Sequence, residues 1–179
     1  GAELFEVKYF KKKAYLAQSP QFYKQMAMAA GFERVFEVGP VFRANPSFTS
    51  RHDTEFTSYD LEMSFIDSHQ DVINLEQKLI VSMLSSVKEE LGNEINKYYD
   101  RDLIIPEIPF PQVTLEEAKK LLNGLKISGT EEGDLNPEEE RKLCEVIKDK
   151  FNHEFVFVTD YPKEKRAFYH MRYKEKTGI

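Results

Sequence analysis

The chain has 179 residues, a length typical of one domain, and its 41% hydrophobic, 31% charged and 13% aromatic residues exclude a disordered protein. A formal net charge of −6 excludes general electrostatic attraction for nucleic acids, so any contact with RNA must be local. No apolar stretch has the length of a membrane span and no signal peptide is visible, so we expect a cytoplasmic protein with no membrane partner. Cys144 is the one cysteine, with no possible disulfide or zinc cluster, and is predicted to be a small packed residue.

The first residues predict a strand pair. Leu4–Phe10 alternates apolar and polar residues, and Ala14–Ala17 forms a second short apolar run after three lysines. Two such runs on either side of a basic turn favour a hairpin.

A short helix should follow this strand pair. Ser19 can cap its first turn and Pro20 suits its first position, so we expect it to continue to about Ala30, before a glycine. Gln21 and Lys24 then lie on one helical face, three residues apart. Considered alone, Lys24 fits an ordinary surface lysine.

Two segments with strand character, Val35–Arg43 and Thr54–Ile66, flank a polar loop and predict a long hairpin. Side chains alternate along a strand, so the second segment has an apolar face and a face with a ring, a hydroxyl and two acids. The members of the second face are Phe56, Ser58, Asp60 and Glu62. Arg43 shares a face with Glu37 and Gly39 in the first segment, which predicts that it lies near these acids on a concave sheet surface.

A long helix is predicted to begin at Ser68 and Asp71. Its apolar stripe is expected to pack in a core, and its members are Val72, Leu75, Leu79, Met83, Val87 and Leu91. Residues 93–111 show little periodicity and are predicted to be a connection without chemistry.

Two shorter helices and a return to strands are predicted beyond this connection. A capping box begins the helix Leu115–Leu122, and Asn136 begins another helix. The second helix should bury Leu143, Val146, Ile147 and Phe151. The charged run Glu138–Lys142 is interpreted as a solvated helix start, with the acids of both helices on the outer face. Apolar residues predict a closing strand at Glu154–Val158, and the segment that includes Arg166–Met171 is expected to lead into another strand.

The hairpin resembles motif 2 of the class II aminoacyl-tRNA synthetases, and specifically that of the aspartyl-tRNA synthetase family of archaeal and eukaryotic type. The resemblance rests on Arg43-Ala44, the loop ending Arg51-His52, and the string EFTSYDLEM from Glu55 to Met63. Its Asp-Leu-Glu-Met ending is the specific part, because asparaginyl and lysyl relatives differ there. The segment QSPQ, ending at Gln21, is similar to what aspartyl-tRNA synthetases have before motif 2. The alternative interpretation is an ordinary amphipathic hairpin with a solvated charged face.

The resemblance covers essentially the whole chain and implies an α+β fold, an antiparallel sheet flanked by helices. Residues 1–179 would form part of a catalytic domain, with the motif 2 hairpin at 35–66, a helical insertion at about 113–151 and a return to the sheet at 154–173. Motifs 1 and 3 would lie outside these residues. So would the acids that bind Mg²⁺ in the family, so we expect no metal ligands within the chain and no adenylation by these residues alone.

The activity implied by the resemblance is aspartate activation with ATP, giving aspartyl-adenylate, followed by transfer to tRNA by a homodimer. Arg43 would be the catalytic residue and hold the α-phosphate, because a guanidinium offers planar donors that stay charged. Aspartate would be bound by Gln21, Lys24, Arg43 and Asp60. The ATP site would comprise Arg43, Asn45, Arg51, His52, Asp53, Glu55 and Phe56. The Phe56 ring would stack on adenine, although it fits an ordinary core residue as well.

One departure from the family pattern lies at the start of the loop. Where the family has Arg-Ala-Glu, this chain has Arg43-Ala44-Asn45-Pro46, which removes an acid and stiffens the backbone. The acceptor end of tRNA would meet Asn45, Ser47 and Thr49. Two alternatives therefore stay open, a paralogue that activates aspartate without charging tRNA and a non-catalytic interaction module. Whether the tRNA is that for Asp alone or also that for Asn is open as well.

Overall fold

The computed structural model describes residues 3–45, 53–127 and 129–172. The chain forms two compact units, Gly1–Val72 and Ile73–Ile179. The first unit contains β1 (Glu6–Tyr9), β2 (Lys12–Tyr15), α1 (Gln21–Ala29), β3 (Arg34–Phe42) and β4 (Glu55–Met63). The second contains most of α2 (His69–Tyr99), followed by β5 (Gln112–Thr114), α3 (Leu115–Leu122), α4 (Pro137–Phe151) and β6 (Phe157–Thr159). None of the described helices is long and apolar enough to cross a membrane.

The predicted strand pair at the start of the chain is confirmed. β1 and β2 are antiparallel, with Val7 opposite Ala14. The turn falls at Phe10, whose φ is +52°, so two of the three lysines belong to β2 and not to the turn. Backbone hydrogen bonds from Phe42 to Ala17 and from Ala44 to Glu3, 2.7 and 3.0 Å long, join the base of this pair to the end of β3.

The predicted helix is confirmed as α1, with a different cap. Pro20 occupies the cap position and makes no side-chain cap bond, while the backbone N–H of Gln21 donates to Ser19 Oγ at 3.4 Å. The helix ends before Gly31, which has φ +99°. Glycine suits this end because a left-handed backbone costs it little.

The predicted hairpin is confirmed as the antiparallel pair β3–β4, and α1 packs against both strands. Glu37 lies opposite Asp60 and Val41 opposite Phe56, so these four residues share the face predicted to be polar. The other face is apolar and open: Phe36 is 68% exposed and stacks on Tyr59 at 5.6 Å between ring centroids.

The core of the second unit lies between α3, α4 and the strands β5 and β6. Its buried members are Val113, Leu115, Ala118, Leu122, Leu135, Leu143 and Ile147. Both predicted helix starts are confirmed, because Thr114 and Asn136 each form a complete capping box with the glutamate three residues later.

The described strands form three two-stranded sheets, and the third sheet differs from the expected antiparallel arrangement. β5 and β6 are parallel, with Val113 opposite Val158, because a crossover through α3 and α4 joins them. The second closing strand is not found among the described residues: the chain makes a 3₁₀ turn at Lys163–Lys165 and has no strand from Asp160 to Arg172. The mixed helix and strand class is confirmed.

The helices differ from the predictions in length and in packing. α2 continues to Tyr99, and the later part of its stripe is exposed, Met83 by 44% and Leu91 by 50%. In α4, Phe151 and Cys144 are exposed. Glu139, expected on an outer face, is only 1% exposed. Its carboxylate accepts a hydrogen bond from Lys119 Nζ and two from backbone N–H groups, and these bonds offset the cost of its burial.

Candidate functional site

A buried lysine connects α1 to the polar face of the hairpin. Lys24 is 6% exposed, and its ammonium donates to Asp60 Oδ1 at 3.1 Å and to the backbone carbonyl of Leu61 at 3.3 Å. Glu62 Oε2 lies 3.5 Å from the same ammonium and accepts a hydrogen bond from Gln21 Nε2 at 3.0 Å. One cation therefore meets two carboxylates, which leaves this cluster with an excess negative charge. Such a cluster can receive the ammonium group of a ligand.

The Asp60 carboxylate is held at both oxygens. Ser58 Oγ donates to Oδ2 at 2.5 Å, while Lys24 binds Oδ1. The hydrogen bond from Ser58 is the largest influence on the pKa of Asp60 and lowers it; partial burial raises it, and Lys24 and Arg43 lower it further. The net pKa lies below the usual value, so Asp60 is ionised at neutral pH.

Arg43 and Phe56 form the second part of the polar face. The guanidinium carbon of Arg43 lies 5.4 Å from the centroid of the Phe56 ring, a cation–π distance. Arg43 Nε is buried and has no hydrogen-bond partner in the part of the chain that the structure describes. A buried donor without a partner is costly, and it indicates a position where an acceptor such as a phosphate oxygen would bind.

The structure brings together most of the predicted aspartate residues. Gln21, Lys24 and Asp60 form the connected cluster, and the charge of Arg43 acts on Asp60 from the same face. The predicted placement of Arg43, Phe56 and Asp60 on one face is confirmed by the strand register and these contacts. The roles of these residues in binding stay predictions.

Not all of the other residues predicted to bind ATP lie on the polar face with Arg43 and Phe56, and some lie outside the described residues. Glu55 lies opposite Phe42 and is exposed, on the face away from Phe56. Asn45 is half-buried and its backbone N–H donates to the Arg43 carbonyl at 2.9 Å, while Asp53 is exposed. Arg51, His52, Ser47 and Thr49 lie outside the described residues, so their predicted contacts with ATP and tRNA are untested.

Sequence reasoning placed Ser58 and Glu62 on the polar face but assigned neither of them to the binding site. Both touch site residues, Ser58 through Asp60 and Glu62 through Lys24 and Gln21. The alternation of side chains along β4 could have identified both residues, because positions two apart on a strand share a face. What the alternation does not reveal is which helical side chain reaches that face.

No cluster of three or more histidine, cysteine or acidic side chains that could hold a metal ion occurs within residues 3–45, 53–127 and 129–172. The second unit contains a cavity of about 650 Å³ between residues 104–112 and 148–155. Its histidine, His153, contacts backbone carbonyls of Phe155 and Glu107 through its two ring nitrogens. We therefore interpret His153 as structural.

The hairpin has an arginine beside a phenylalanine and packs against a helix that supplies a lysine to its acids, the arrangement expected from the resemblance to class II aminoacyl-tRNA synthetases. The family profile described as "tRNA synthetases class II (D, K and N)" matches residues 1–178. The chain belongs to this family.

Three relatives show the extent of the similarity. The chain is 47% identical, over 96% of its length, to the aspartate--tRNA(Asp/Asn) ligase of Methanopyrus kandleri, and covers 38% of that protein. An Entamoeba histolytica aspartyl-tRNA synthetase structure matches 92% of the chain at 37% identity and a TM-score of 0.78, with 34% of that protein covered. A Pyrococcus horikoshii asparaginyl-tRNA synthetase structure, complexed with asparaginyl-adenylate, matches 98% at 36% identity and a TM-score of 0.78, with 39% covered. The chain thus spans less than two-fifths of each relative.

Proposed function

We propose that the complete protein is an aspartate--tRNA ligase, which activates aspartate with ATP and transfers the aspartyl group to tRNA. The observation that carries this proposal is the Lys24–Asp60–Glu62 cluster on the same face of the hairpin as Arg43 and Phe56. The similarity to aspartate--tRNA ligases supports it. We further propose a cytoplasmic homodimer, the state expected from the resemblance.

The cluster fits an amino acid with an acidic side chain. The substrate ammonium would bind the acids, where negative charge is in excess, and its side-chain carboxylate would bind Lys24. A buried cation is stable only when it is paired with negative charge. A neutral carboxamide would pair with this ammonium less well than a carboxylate does, and this favours aspartate over asparagine.

The second part of the face fits a nucleotide. Arg43 would hold the α-phosphate, where charge grows as the substrate carboxylate attacks and pyrophosphate leaves, and its unpaired Nε supports that contact. Phe56 would stack on the adenine base. Mg²⁺, when bound, would neutralise phosphate charge, and its ligands are expected outside these 179 residues.

Transfer to tRNA is the finer part of the proposal. Asn45, with Ser47 and Thr49, would meet the acceptor end, and Arg51, His52 and Asp53 would reach the outer phosphates and the base. Because Asn45 replaces the usual acid, aspartate activation and transfer of the aspartyl group to tRNA need separate measurements. Rates of aminoacylation measured with tRNA for Asp and with tRNA for Asn would show which of the two the protein uses.

The experiment compares Lys24→Ala with Lys12→Ala in the complete protein, using aspartate-dependent ATP–pyrophosphate exchange. Lys12 is an exposed lysine of the same unit, on β2. Lys24→Ala should lower exchange by on the order of a hundredfold or more, the scale of losing a charged contact in the transition state. Lys12→Ala should stay near wild type.

Two results would contradict the proposal. One is wild-type exchange that responds to asparagine or lysine as strongly as to aspartate. The other is a folded Lys24→Ala variant, checked by circular dichroism, that retains full exchange.

A further inference from the structure

Ser58 lies beside Asp60 on β4, two residues earlier and therefore on the same face. Its hydroxyl donates to Asp60 Oδ2, while the other carboxylate oxygen, Oδ1, accepts from Lys24. Each oxygen thus has its own donor, one from the strand and one from the helix. Two donors on opposite oxygens fix the plane of the carboxylate.

We propose that Ser58 is a positioning residue, which orients the Asp60 carboxylate so that it can bind the substrate ammonium while it stays paired with Lys24. This inference rests on the proposed function. It adds a residue that determines how well the aspartate subsite is organised before substrate arrives.

The physical reason lies in the aspartate side chain itself. Rotation about its terminal bond is broad, so a carboxylate with one anchor samples many orientations. Each carboxylate oxygen can accept two hydrogen bonds, so the Ser58 hydroxyl does not use up the capacity needed for a ligand. Loss of the hydroxyl would leave the carboxylate free to turn with the lysine. A misplaced binding group weakens substrate binding even when its charge is unchanged.

The surroundings of Ser58 favour a polar role over a packing role. Its cross-strand neighbour is Gly39, and a Cβ added at Gly39 would meet no atom within 4 Å. Because Gly39 has no side chain, nothing packs against Ser58 from the position directly across the strand pair. Threonine retains the hydroxyl and is a residue type that suits strands.

Two matched comparisons test the inference in the complete protein. Ser58→Ala removes the hydroxyl, whereas Ser58→Thr retains it. Ser58→Val has nearly the shape of threonine without the donor, so the threonine and valine variants differ by the hydroxyl alone. Ser64→Ala serves as the control, because Ser64 lies just beyond the end of β4 and donates to backbone carbonyls.

The KM for aspartate, measured by ATP–pyrophosphate exchange at saturating ATP, should rise about tenfold in Ser58→Ala and Ser58→Val, the scale of one hydrogen bond to a charged group. Ser58→Thr and Ser64→Ala should stay within about twofold of wild type, because one retains the hydroxyl and the other is remote from Asp60. The KM for ATP should not change in any of the four, because Arg43 and Phe56 are untouched.

The pH dependence gives a readout that a purely structural role would not move. The acidic limb of kcat/KM for aspartate should shift to higher pH in the alanine and valine variants and not in the threonine variant, because the hydroxyl donates to the charged form of Asp60. The other charged groups around Asp60 are Lys24 from α1, Glu37 and Arg43 from β3 and its end, and Glu62 from β4. All four are unchanged in these variants.

The outcomes separate this inference from the proposed function. Wild-type protein without aspartate-dependent exchange would overturn both. Active wild type with an unchanged KM for aspartate in Ser58→Ala and Ser58→Val would overturn the positioning role alone. Equal losses in the threonine and valine variants would overturn it as well, since shape and not the hydroxyl would then be responsible. Should Ser58→Ala fail to fold, the threonine and valine pair decides.

Discussion

Removal of the Glu139 carboxylate should strongly destabilise the second unit. This carboxylate is 1% exposed and accepts hydrogen bonds from Lys119 Nζ at 2.5 Å, from the Asn136 N–H at 2.9 Å and from the Glu131 N–H at 3.3 Å. It joins α3, the segment before α4 and the first turn of α4. Glu139→Ala deletes all three bonds to this almost fully buried carboxylate.

The magnitude follows from the groups left behind. Each buried donor without a partner costs about 1 to 3 kcal/mol, and breaking a buried ion pair costs about 3 to 5 kcal/mol. Lys119 retains 28% exposure of its side chain and a hydrogen bond to the Glu131 carbonyl, so its share lies at the low end. Glu131 is exposed and Asn136 half-buried, so water can reach their N–H groups in the variant and the broken ion pair accounts for most of the cost. We expect a loss of about 3 kcal/mol in the stability of this unit.

The pH dependence has a definite sign. Burial raises the pKa of Glu139, but the hydrogen bonds from Lys119, Asn136 and Glu131 outweigh it, so the pKa lies below its usual value. A carboxylate whose pKa is lower in the folded state stabilises the fold above its unfolded pKa. That contribution is lost as the pH falls through the folded-state pKa. The difference between wild type and Glu139→Ala should therefore shrink in acid.

Hydrogen exchange of amides, followed by mass spectrometry, is the suitable assay because it reports the stability of α3 and α4 separately from the first unit. Glu116→Ala is the matched control, since Glu116 lies on α3 in an exposed pair with Lys120 at 2.6 Å. The control should change protection little. Protection of α4 in Glu139→Ala within about 1 kcal/mol of wild type, below the cost expected for a broken buried pair, would refute this reasoning.

Two further predictions concern the nucleotide side of the site. Arg43→Lys should lower pyrophosphate exchange about tenfold or more although it keeps the charge, because an ammonium lacks the planar set of donors; wild-type exchange in this variant would remove Arg43 from the phosphate site. Phe56→Ala should raise the KM for ATP about tenfold, the scale of one lost base stack, whereas Phe56→Tyr should not. Equal values of this KM in the alanine and tyrosine variants would show that the ring does not bind the base.

Local rules account for the parts of the fold that the sequence predicted well. The capping boxes at Thr114 and Asn136 each involve residues three apart, and the hairpin faces follow from alternation along one strand. Lys24 and Asp60, predicted to bind the same substrate, also contact each other, although they are 36 residues apart. That prediction came from the family resemblance, because alternation alone does not say which helix covers a face.

Long-range contacts account for the parts that were missed. Glu139 is buried because it pairs with Lys119, 20 residues earlier, and accepts a hydrogen bond from the backbone N–H of Glu131. The parallel pairing of β5 with β6 depends on two intervening helices, and three-residue strands carry almost no periodic signal. The stripe on α2 had the right period, but period alone does not provide a partner surface, so Met83 and Leu91 are exposed.

The hairpin β3–β4 shows why its charged face is better explained by function than by stability. A two-stranded sheet with one apolar face normally gains stability by covering that face. Here α1 covers the charged face, and Lys24 is 6% exposed. Covering charges costs free energy unless each one is paired, and an apolar substitute of similar volume is often as stable as a buried ion pair. Leucine or methionine at these positions could therefore stabilise the fold about as well as Lys24, Asp60 and Glu62 do. What they provide is a fixed arrangement of charges, which is what the proposed binding of aspartate requires.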